Sequence, residues 1–227
     1  MADVSGNWRR DHPWAAVYSF FVERELLARP LGWALFGTDT RRFDEALDAI
    51  GEVPEGGSIL DIPCGGGIAL RGLSPSRRAR YVAADIAPTM LARTREVARQ
   101  RDLDQVETRA ADVERLPFED DEFDLCLSFA GLHCFPHPDR AVEEIARVLR
   151  PGGRFVGSVF VTDSGIRFLP HRTAGRAIGV MGPSGSRGDL ERWFDAVGLV
   201  PAALERSGAL VYFDATSASA KNRSRRR

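Results

Sequence analysis

A glycine cluster next to acidic residues is the part of this 227-residue chain with the clearest chemical potential. Residues 58–67 read SILDIPCGGG: an apolar run, then Asp61, then three glycines, and a helical pattern follows. This order is typical of a buried strand, a tight turn and a helix N-terminus. The bare backbone and the free N–H groups of such a turn let a ligand approach closely. In an α/β sheet, nucleotide-like cofactors bind at this place.

The spacing of the glycines separates the classes of cofactor. A phosphate-binding loop needs GxxxxGK[ST], and the chain contains no such segment. A dinucleotide fingerprint needs GxGxxG; Gly65 and Gly67 supply its first two glycines, but Leu70 stands at the third. A cofactor without a pyrophosphate needs less anion-binding backbone. NAD is therefore disfavoured, although it stays an alternative.

Two further acids follow the next two candidate strands. Asp85 lies about 20 residues beyond the glycines, where an acid can accept hydrogen bonds from both ribose hydroxyls. A charged acceptor strengthens such bonds. Asp85 can also cap the helix that follows. Asp112 comes after the third candidate strand and can bind an exocyclic amine, although an aspartate in a loop is often only a turn residue.

His133 is the best candidate for a general base. It follows the fourth candidate strand, and an imidazole with a pKa of about 6.5 is neutral near neutral pH. The alternative is that His133 orients its loop. Cys64, beside the glycines, is interpreted as a small structural residue. No set of His, Cys and Asp has the spacing of metal ligands, so no metal is expected.

The elements that must position these residues alternate from residue 58 onwards. Strands are predicted at 58–62, 80–84, 105–110, 123–129 and 154–161, and helices at 68–73, 88–100 and 138–149. This alternation indicates a parallel sheet with helices on both faces. A helix at 189–197 and two strand-like runs at 199–205 and 209–216 follow; the two runs predict an antiparallel hairpin at the sheet edge.

The chain is expected to have three parts. Residues 1–50 predict a helical, aromatic-rich lid or substrate segment, 51–216 the core, and 217–227 a disordered basic tail. Within the core, 162–188 has no clear period and is interpreted as an irregular insertion on the substrate side. Aromatic side chains of these parts predict an apolar pocket, with ordinary packing as the alternative. The predicted pocket residues are Trp14, Tyr18, Trp33, Phe168 and His171.

Charge and composition limit the partners. With 31 basic and 32 acidic residues the net charge is −1, so no basic field attracts nucleic acid. No apolar run approaches the roughly 18 residues that a membrane span needs. The start of the chain lacks the apolar core of a signal peptide, and three cysteines make no disulfide framework. A cytoplasmic protein, monomeric or homodimeric, is expected.

Four segments in order carry a resemblance to a known family: ILDIPCGGG, VAADIAPTML, AADVERLPFEDDEFDLCLSFAGLHCF and AVEEIARVLRPGGRF. With them the chain resembles the class I S-adenosylmethionine-dependent methyltransferases, in the methyltransferase-11 or UbiE-like group. The resemblance implies a Rossmann-like, mostly parallel seven-stranded sheet with the strand order 3-2-1-4-5-7-6. Strand 7 is antiparallel, and helices cover both faces.

The resemblance also implies S-adenosylmethionine as cofactor and S-adenosylhomocysteine as product. Pro63 stands where the family commonly has glycine, and it removes one backbone N–H. The cofactor-binding residues implied are Asp61, Pro63, Cys64, Gly65 and Gly67 at the methionine end, Asp85, Ile86 and Met90 at the ribose, Asp112 and Val113 at the adenine, and Ser128 and Phe129 beside the sulfonium.

The expected reaction is in-line methyl transfer to O, C or N of a small, apolar or aromatic molecule. The residues 128–131 read SFAG, which differs from the [DN]PP[YF] motif of base-flipping enzymes of this fold. One alternative is a protein that binds S-adenosylmethionine without methyl transfer, either cyclase-like or structural. A less favoured alternative is an NAD-dependent oxidoreductase, which the absence of a YxxxK segment disfavours.

Overall fold

Seven strands in the order β3-β2-β1-β4-β5-β7-β6 form the central sheet of this computed structural model, which describes residues 6, 33, 36–39 and 41–218. Strands β1 to β5 are parallel, and β7 is antiparallel to both β5 and β6. The strands are β1 Ser58–Asp61, β2 Arg80–Asp85, β3 Val106–Ala110, β4 Phe123–Phe129, β5 Leu149–Phe160, β6 Leu199–Ser207 and β7 Leu210–Ser217. The predicted order and the antiparallel seventh strand are confirmed.

Helices connect the strands and cover the sheet. The α-helices are α1 Arg41–Glu52, α2 Pro88–Gln100, α3 Pro138–Val148, α4 Leu169–Ala177 and α5 Arg187–Val197. Three short 3-10 helices lie at Ile68–Gly72, Leu132–Cys134 and Ile166–Phe168. Among the described helices, none is both long and apolar enough to cross a membrane.

The sheet is buried on both faces where the site forms. All four residues of β1 are buried, as is β2 beyond its first residue. Parallel strands covered on both faces give continuous apolar runs instead of alternating ones, which explains the pattern read from the sequence. The chain goes from β1 outward to β2 and β3, then returns to place β4 on the other side of β1. The carboxyl ends of β1 and β4 thus flank a topological switch point, where ligands bind in such sheets.

The insertion at 162–188 corrects one prediction. It is not irregular throughout, because α4 spans nine of its residues. The helix LPHRTAGRA is exposed along most of its length, so few large apolar residues mark it in the sequence. Its Gly175 is buried against Met181: a Cβ there would lie 2.5 Å from the Met181 sulfur.

The start of β5 differs most from the predicted strand bounds. β5 starts at Leu149 and so includes the PGG turn, because Leu149 pairs with Phe123 before the register shifts. Ser128 and Phe129 are the last two residues of β4, so they lie at the carboxyl end of the strand. By contrast, the bounds predicted for β4 and α2 are confirmed.

Candidate functional site

The turn after β1 is held between its two neighbouring strands. The Ile62 N–H donates to the Leu127 carbonyl at 2.9 Å, and the Cys64 N–H donates to the Ala84 carbonyl at 2.8 Å. Gly65 and Gly67 then adopt left-handed conformations with φ of 51° and 83°, which glycine adopts without strain. The turn therefore leaves the backbone of Gly65 and Gly66 partly exposed at the carboxyl edge of the sheet, whereas Gly67 is buried and its N–H donates to the Cys64 carbonyl at 3.0 Å.

Asp85 joins this turn to the start of α2. Its carboxylate accepts the Gly65 N–H at 2.9 Å through Oδ2 and the Ala87 N–H at 2.9 Å through Oδ1. Burial raises the pKa of Asp85 to about 6, although the N–H groups of Ala87, Gly65 and Ile86 act to lower it. A carboxylate has about four lone-pair positions, so acceptor capacity remains for another donor.

A second buried acid lies one strand away. Asp61, at the end of β1, is 2% exposed, and its Oδ2 accepts the Tyr81 hydroxyl at 2.9 Å. Burial raises the pKa of Asp61 to about 7; the Tyr81 hydrogen bond lowers it, and the charge of Asp85 raises it further. Two carboxyls of raised pKa at adjacent strand ends are typical of a functional site rather than of a structural core.

Thr94 is a contributor that the sequence reading missed. From α2 its hydroxyl donates to the Gly65 carbonyl at 2.8 Å, and it lies 3.5 Å from the Cys64 sulfur. Thr94 is fully buried. The signal in the sequence is its position three residues after Leu91 and four before Ala98, which places a hydroxyl on the buried face of α2.

Replacing Thr94 by valine is expected to lower the free energy of unfolding by about 1 kcal/mol, because the isosteric side chain leaves the Gly65 carbonyl without its donor. Urea denaturation measures the change. Thr94→Ser keeps the hydroxyl and isolates the contribution of the methyl group. A Thr94→Val protein as stable as the wild type would show that this bond does not hold the turn.

The end of β4 contacts the turn through Pro63. A Cβ on Gly131 would lie 2.3 Å from Pro63 Cδ and 2.5 Å from Ser128 Oγ, so only glycine fits between them. Ser128 is fully buried and its Oγ has no hydrogen-bond partner. Phe129 packs edge-on against Phe43 of α1 with ring centroids 4.7 Å apart. Pro63 and Ser128 thus form one packed unit beside the glycine turn.

The residues assigned to ribose and adenine gather near Asp85. The Ala111 N–H donates to the Asp85 carbonyl at 3.1 Å, which brings Asp112 and Val113 alongside β2. Asp112 Oδ1 accepts the Glu114 N–H at 3.1 Å, so this side chain also serves its own turn. The structure therefore brings these predicted residues together. Val113 and Met90 are buried, and Ile86 is half-buried.

His133 lies on the 3-10 helix after β4 and is 6% exposed. Its Nδ1 accepts the Phe160 N–H at 3.3 Å, and its ring packs edge-on against Phe160. A neutral imidazole that accepts through Nδ1 carries its proton on Nε2, which leaves no nitrogen to take up another proton. This geometry favours the orienting alternative over a general base.

Only some of the residues predicted to line an aromatic pocket are described by the structure. Trp14 and Tyr18 lie outside the described residues, and Trp33 is 69% exposed. Phe168 packs into an apolar cluster with Phe160, so it contributes to a local core. His171 belongs to α4. An open depression of about 260 Å³ lies on the surface between α1 and the first 3-10 helix, lined by Asp44, Leu47, Asp48, Gly51, Arg71 and Gly72.

The cysteines are poor nucleophiles. Burial raises the pKa of the Cys64 and Cys126 thiols, and burial together with the charge of Asp85 raises the pKa of Cys134 to about 12. The thiolate is the reactive form, so these side chains stay inert at neutral pH. Within the described part of the chain, no group of three or more His, Cys, Asp or Glu could hold a metal ion.

Comparisons with known proteins agree with this geometry. Residues 60–157 match the family model described as methyltransferase domain. An uncharacterized chloroplastic methyltransferase of Arabidopsis thaliana is 33% identical over 96% of this chain and 66% of its own length. The ubiquinone/menaquinone biosynthesis C-methyltransferase UbiE of Brucella abortus (strain S19) is 42% identical over 44% of this chain and 39% of its own. The chain thus spans less than two thirds of either relative.

A solved structure shares the fold. A chain from the complex between the Haloferax volcanii Trm112 methyltransferase activator and the protein named there as its methyltransferase superposes with a TM-score of 0.70, at 20% identity, over 96% of this chain and 99% of that one. At this identity the likeness concerns the fold alone. Taken with the match at residues 60–157 and the strand order, it leads to one conclusion: residues 60–157 belong to the methyltransferase domain family, within a chain that shares the fold of this solved structure.

Proposed function

We propose that this protein binds S-adenosylmethionine and transfers its methyl group to a small molecule. The observation that carries the proposal is Asp85, a buried carboxylate that fixes the glycine turn at the switch point and keeps acceptor capacity for ribose hydroxyls. Leu70, fully buried at the third glycine position of a dinucleotide fingerprint, disfavours NAD.

The residues around the turn fit the cofactor. Gly65 and Gly67 offer bare left-handed backbone for the methionine end, beside Asp61 and Cys64. Asp85 with Ile86 and Met90 holds the ribose, and Asp112 with Val113 holds the adenine. Ser128, whose hydroxyl lacks a partner, lies with Phe129 and Pro63 at the sulfonium end. When bound, the cofactor supplies a methyl group on a cationic sulfur, which is already strongly electrophilic.

The protein's own contribution is then positioning and exclusion of water. The fixed turn and the buried ends of β1, β2 and β4 orient the donor, and the acceptor must lie in line with the bond that breaks. His133 braces β5 against the loop after β4 through Phe160, so it positions the acceptor side rather than abstracting a proton. The name of the Brucella relative supports an apolar or aromatic acceptor. A cytoplasmic location and a monomeric or homodimeric state stay predictions.

Isothermal titration with S-adenosylmethionine and S-adenosylhomocysteine tests the binding step. We expect binding of both, and no binding of either at millimolar concentration would end the proposal. Product analysis by mass spectrometry with candidate aromatic acceptors tests the transfer step. Tight cofactor binding without methylated product from any acceptor would favour the non-methylating alternative, and binding of NAD instead would favour the oxidoreductase.

Cofactor affinity is expected to rise with pH through about 6. Ribose hydroxyls donate to the ionised Asp85, whose pKa in the free protein is about 6, so binding below that pH must expel a proton. Affinity then falls by up to about tenfold per pH unit. Titration with S-adenosylhomocysteine between pH 5 and 8 measures this change in affinity. An affinity that does not vary over that pH range would contradict the ribose assignment.

The stability of the free protein should follow the opposite trend. The folded pKa values of Asp61 and Asp85, about 7 and about 6, lie above the unfolded value of 3.8, so the folded state binds their protons more tightly. Their contribution to the free energy of unfolding is fully present below about pH 4 and is lost as pH rises to about 7. General acid unfolding would lower cofactor affinity and stability together as the pH falls. Titration of Asp85 is expected to lower the affinity while the stability of the free protein rises.

A further inference from the structure

The insertion at 162–188 carries a surplus of positive charge. It contains four arginines and a single acid, Asp163. That acid is already engaged: its Oδ2 lies 3.0 Å from Arg206 Nη2, and its Oδ1 accepts the Arg187 N–H at 3.3 Å. The acidic residues of the segment therefore do not balance its positive charge, although the whole chain is nearly neutral.

Arg172, on α4, has one guanidinium nitrogen without a hydrogen-bond partner among the described residues. Its Nη1 donates to the Thr162 carbonyl, two residues beyond β5, while its Nε is buried without a hydrogen-bond partner. In the described part of the chain Arg172 forms no ion pair with a carboxylate. The side chain is half-buried, and the Nε–Nη2 edge of a guanidinium matches two oxygens of a carboxylate or phosphate.

Two hydroxyls of the same insertion also lack hydrogen-bond partners among the described residues. Ser164 and Ser184 each have a buried Oγ without a hydrogen bond. The Thr162 N–H donates to the Gly185 carbonyl at 2.9 Å, so the two limbs of the insertion meet where Arg172 also binds. A buried polar atom without a partner is unfavourable, because it has lost its hydrogen bonds to water. Three such atoms in one short segment, all hydrogen-bond donors, indicate a ligand with several acceptor oxygens.

This cluster adjoins the candidate active site. The Gly182 N–H donates to the His133 carbonyl at 2.8 Å, and a Cβ on Gly182 would lie 2.3 Å from the Phe135 carbonyl oxygen. The returning limb of the insertion, which carries Ser184, is therefore packed against the helix that follows β4. Arg176 anchors the same limb by donating to the carbonyls of Gly182 and Pro183.

We propose that Arg172, Ser164 and Ser184 bind an anionic group, a carboxylate or a phosphate, of the methyl acceptor. Guanidinium and hydroxyl donors converge on its oxygens, and the apolar part of the molecule extends toward the loop after β4. The inference rests on the proposed function and refines it: the acceptor is an amphipathic acid rather than a purely apolar molecule.

Calorimetric titration of the full chain with inorganic phosphate and with benzoate tests this site and separates the two chemistries. We expect at least one of the anions to bind and Arg172→Gln to weaken its binding about tenfold, the loss typical of a charge-assisted hydrogen bond. The matched control is Arg99→Gln, which removes the same charge from the exposed surface of α2, where Arg99 pairs with Glu96. Binding of neither anion, or equal weakening by both substitutions, would overturn the proposal.

Two further variants keep the test independent of folding. Ser164→Ala leaves Arg172 and its bond to Thr162 in place, and it should weaken anion binding several-fold with an unchanged or raised melting temperature. Arg172→Lys keeps the charge but loses the pair of parallel N–H donors of the guanidinium. Its affinity for the anion should lie between those of the wild type and Arg172→Gln. Unchanged affinity in both would refute the site.

Titration with S-adenosylhomocysteine separates this inference from the proposed function. All these variants should keep wild-type affinity for it, because none touches the glycine turn. A wild-type protein that binds S-adenosylhomocysteine but neither anion refutes the anion site alone. One that binds an anion through Arg172 but no S-adenosylhomocysteine refutes the methyltransferase proposal and leaves the anion site standing.

Discussion

Asp85→Asn is expected to lower the affinity for S-adenosylhomocysteine by a factor of about 100 or more. The carboxylate accepts the N–H groups of Gly65 and Ala87 on its two oxygens, and an amide offers only one oxygen. Its NH₂ group must face one of those two donors, so one end of the turn is released. The ribose loses a charged acceptor as well. Each charge-assisted bond is worth about 1.5–3 kcal/mol, and losing two gives the stated factor.

The same substitution should change the stability of the free protein much less. Burial raises the pKa of Asp85 to about 6, so at pH 8 the folded protein holds an unfavourable buried charge. The substitution removes that charge, and the stability gained in this way offsets the hydrogen bond lost at the turn. Calorimetry and urea denaturation on one preparation measure both effects. Asp102→Asn is the matched control: Asp102 is exposed, with φ of 53°, a conformation that asparagine adopts readily. Wild-type affinity in Asp85→Asn would exclude Asp85 as the ribose ligand.

Gly131→Ala is expected to destabilise the fold by about 1–3 kcal/mol and to abolish cofactor binding at micromolar concentration. The new methyl group would lie 2.3 Å from the ring of Pro63 and 2.5 Å from Ser128 Oγ. Neither can yield freely, because Ser128 is fully buried in β4 and Pro63 is part of the turn. Relief of the clash therefore displaces the turn itself. Chemical denaturation and S-adenosylhomocysteine titration measure the two effects.

Two companion substitutions make this result specific. Gly51→Ala in α1 meets no atom within 4 Å and should stabilise the protein by up to about 1 kcal/mol. Ser128→Ala removes a buried hydroxyl without a partner, so it should leave stability unchanged or raised, and it should partly rescue Gly131→Ala. Gly131→Ala with full stability and affinity would show that the contact with Pro63 is unimportant.

Much of the fold was readable from the sequence because the local signals agree. β4 and α2 have the predicted bounds: one is a continuous apolar run, and the other begins with a proline in its first turn. The strand order came from the resemblance, and Asp85 was found because an acid at the end of the second strand has a defined role.

The unpredicted parts depend on contacts between distant segments. Nothing near Thr94 shows that its hydroxyl reaches the Gly65 carbonyl, and nothing near Tyr81 shows that it meets Asp61. For His133 the sequence does not show that its Nδ1 accepts the Phe160 N–H, the contact that favours an orienting role. α4 escaped notice because a helix exposed along most of its length carries few large apolar residues. For Pro63 the sequence indicated a missing donor, whereas the structure shows a packing partner of Gly131.

The contact between Pro63 and Gly131 has a consequence for natural variation. A side chain at position 131 is compatible with the turn only when position 63 loses its ring and position 128 its hydroxyl, so the three positions are expected to change together among homologous sequences. A glycine at 63, the common residue of the family, removes the contact with the ring, and alanine at 131 then also needs a residue smaller than serine at 128. The proline that distinguishes this chain thus restricts which substitutions its own lineage can accept in the loop after β4.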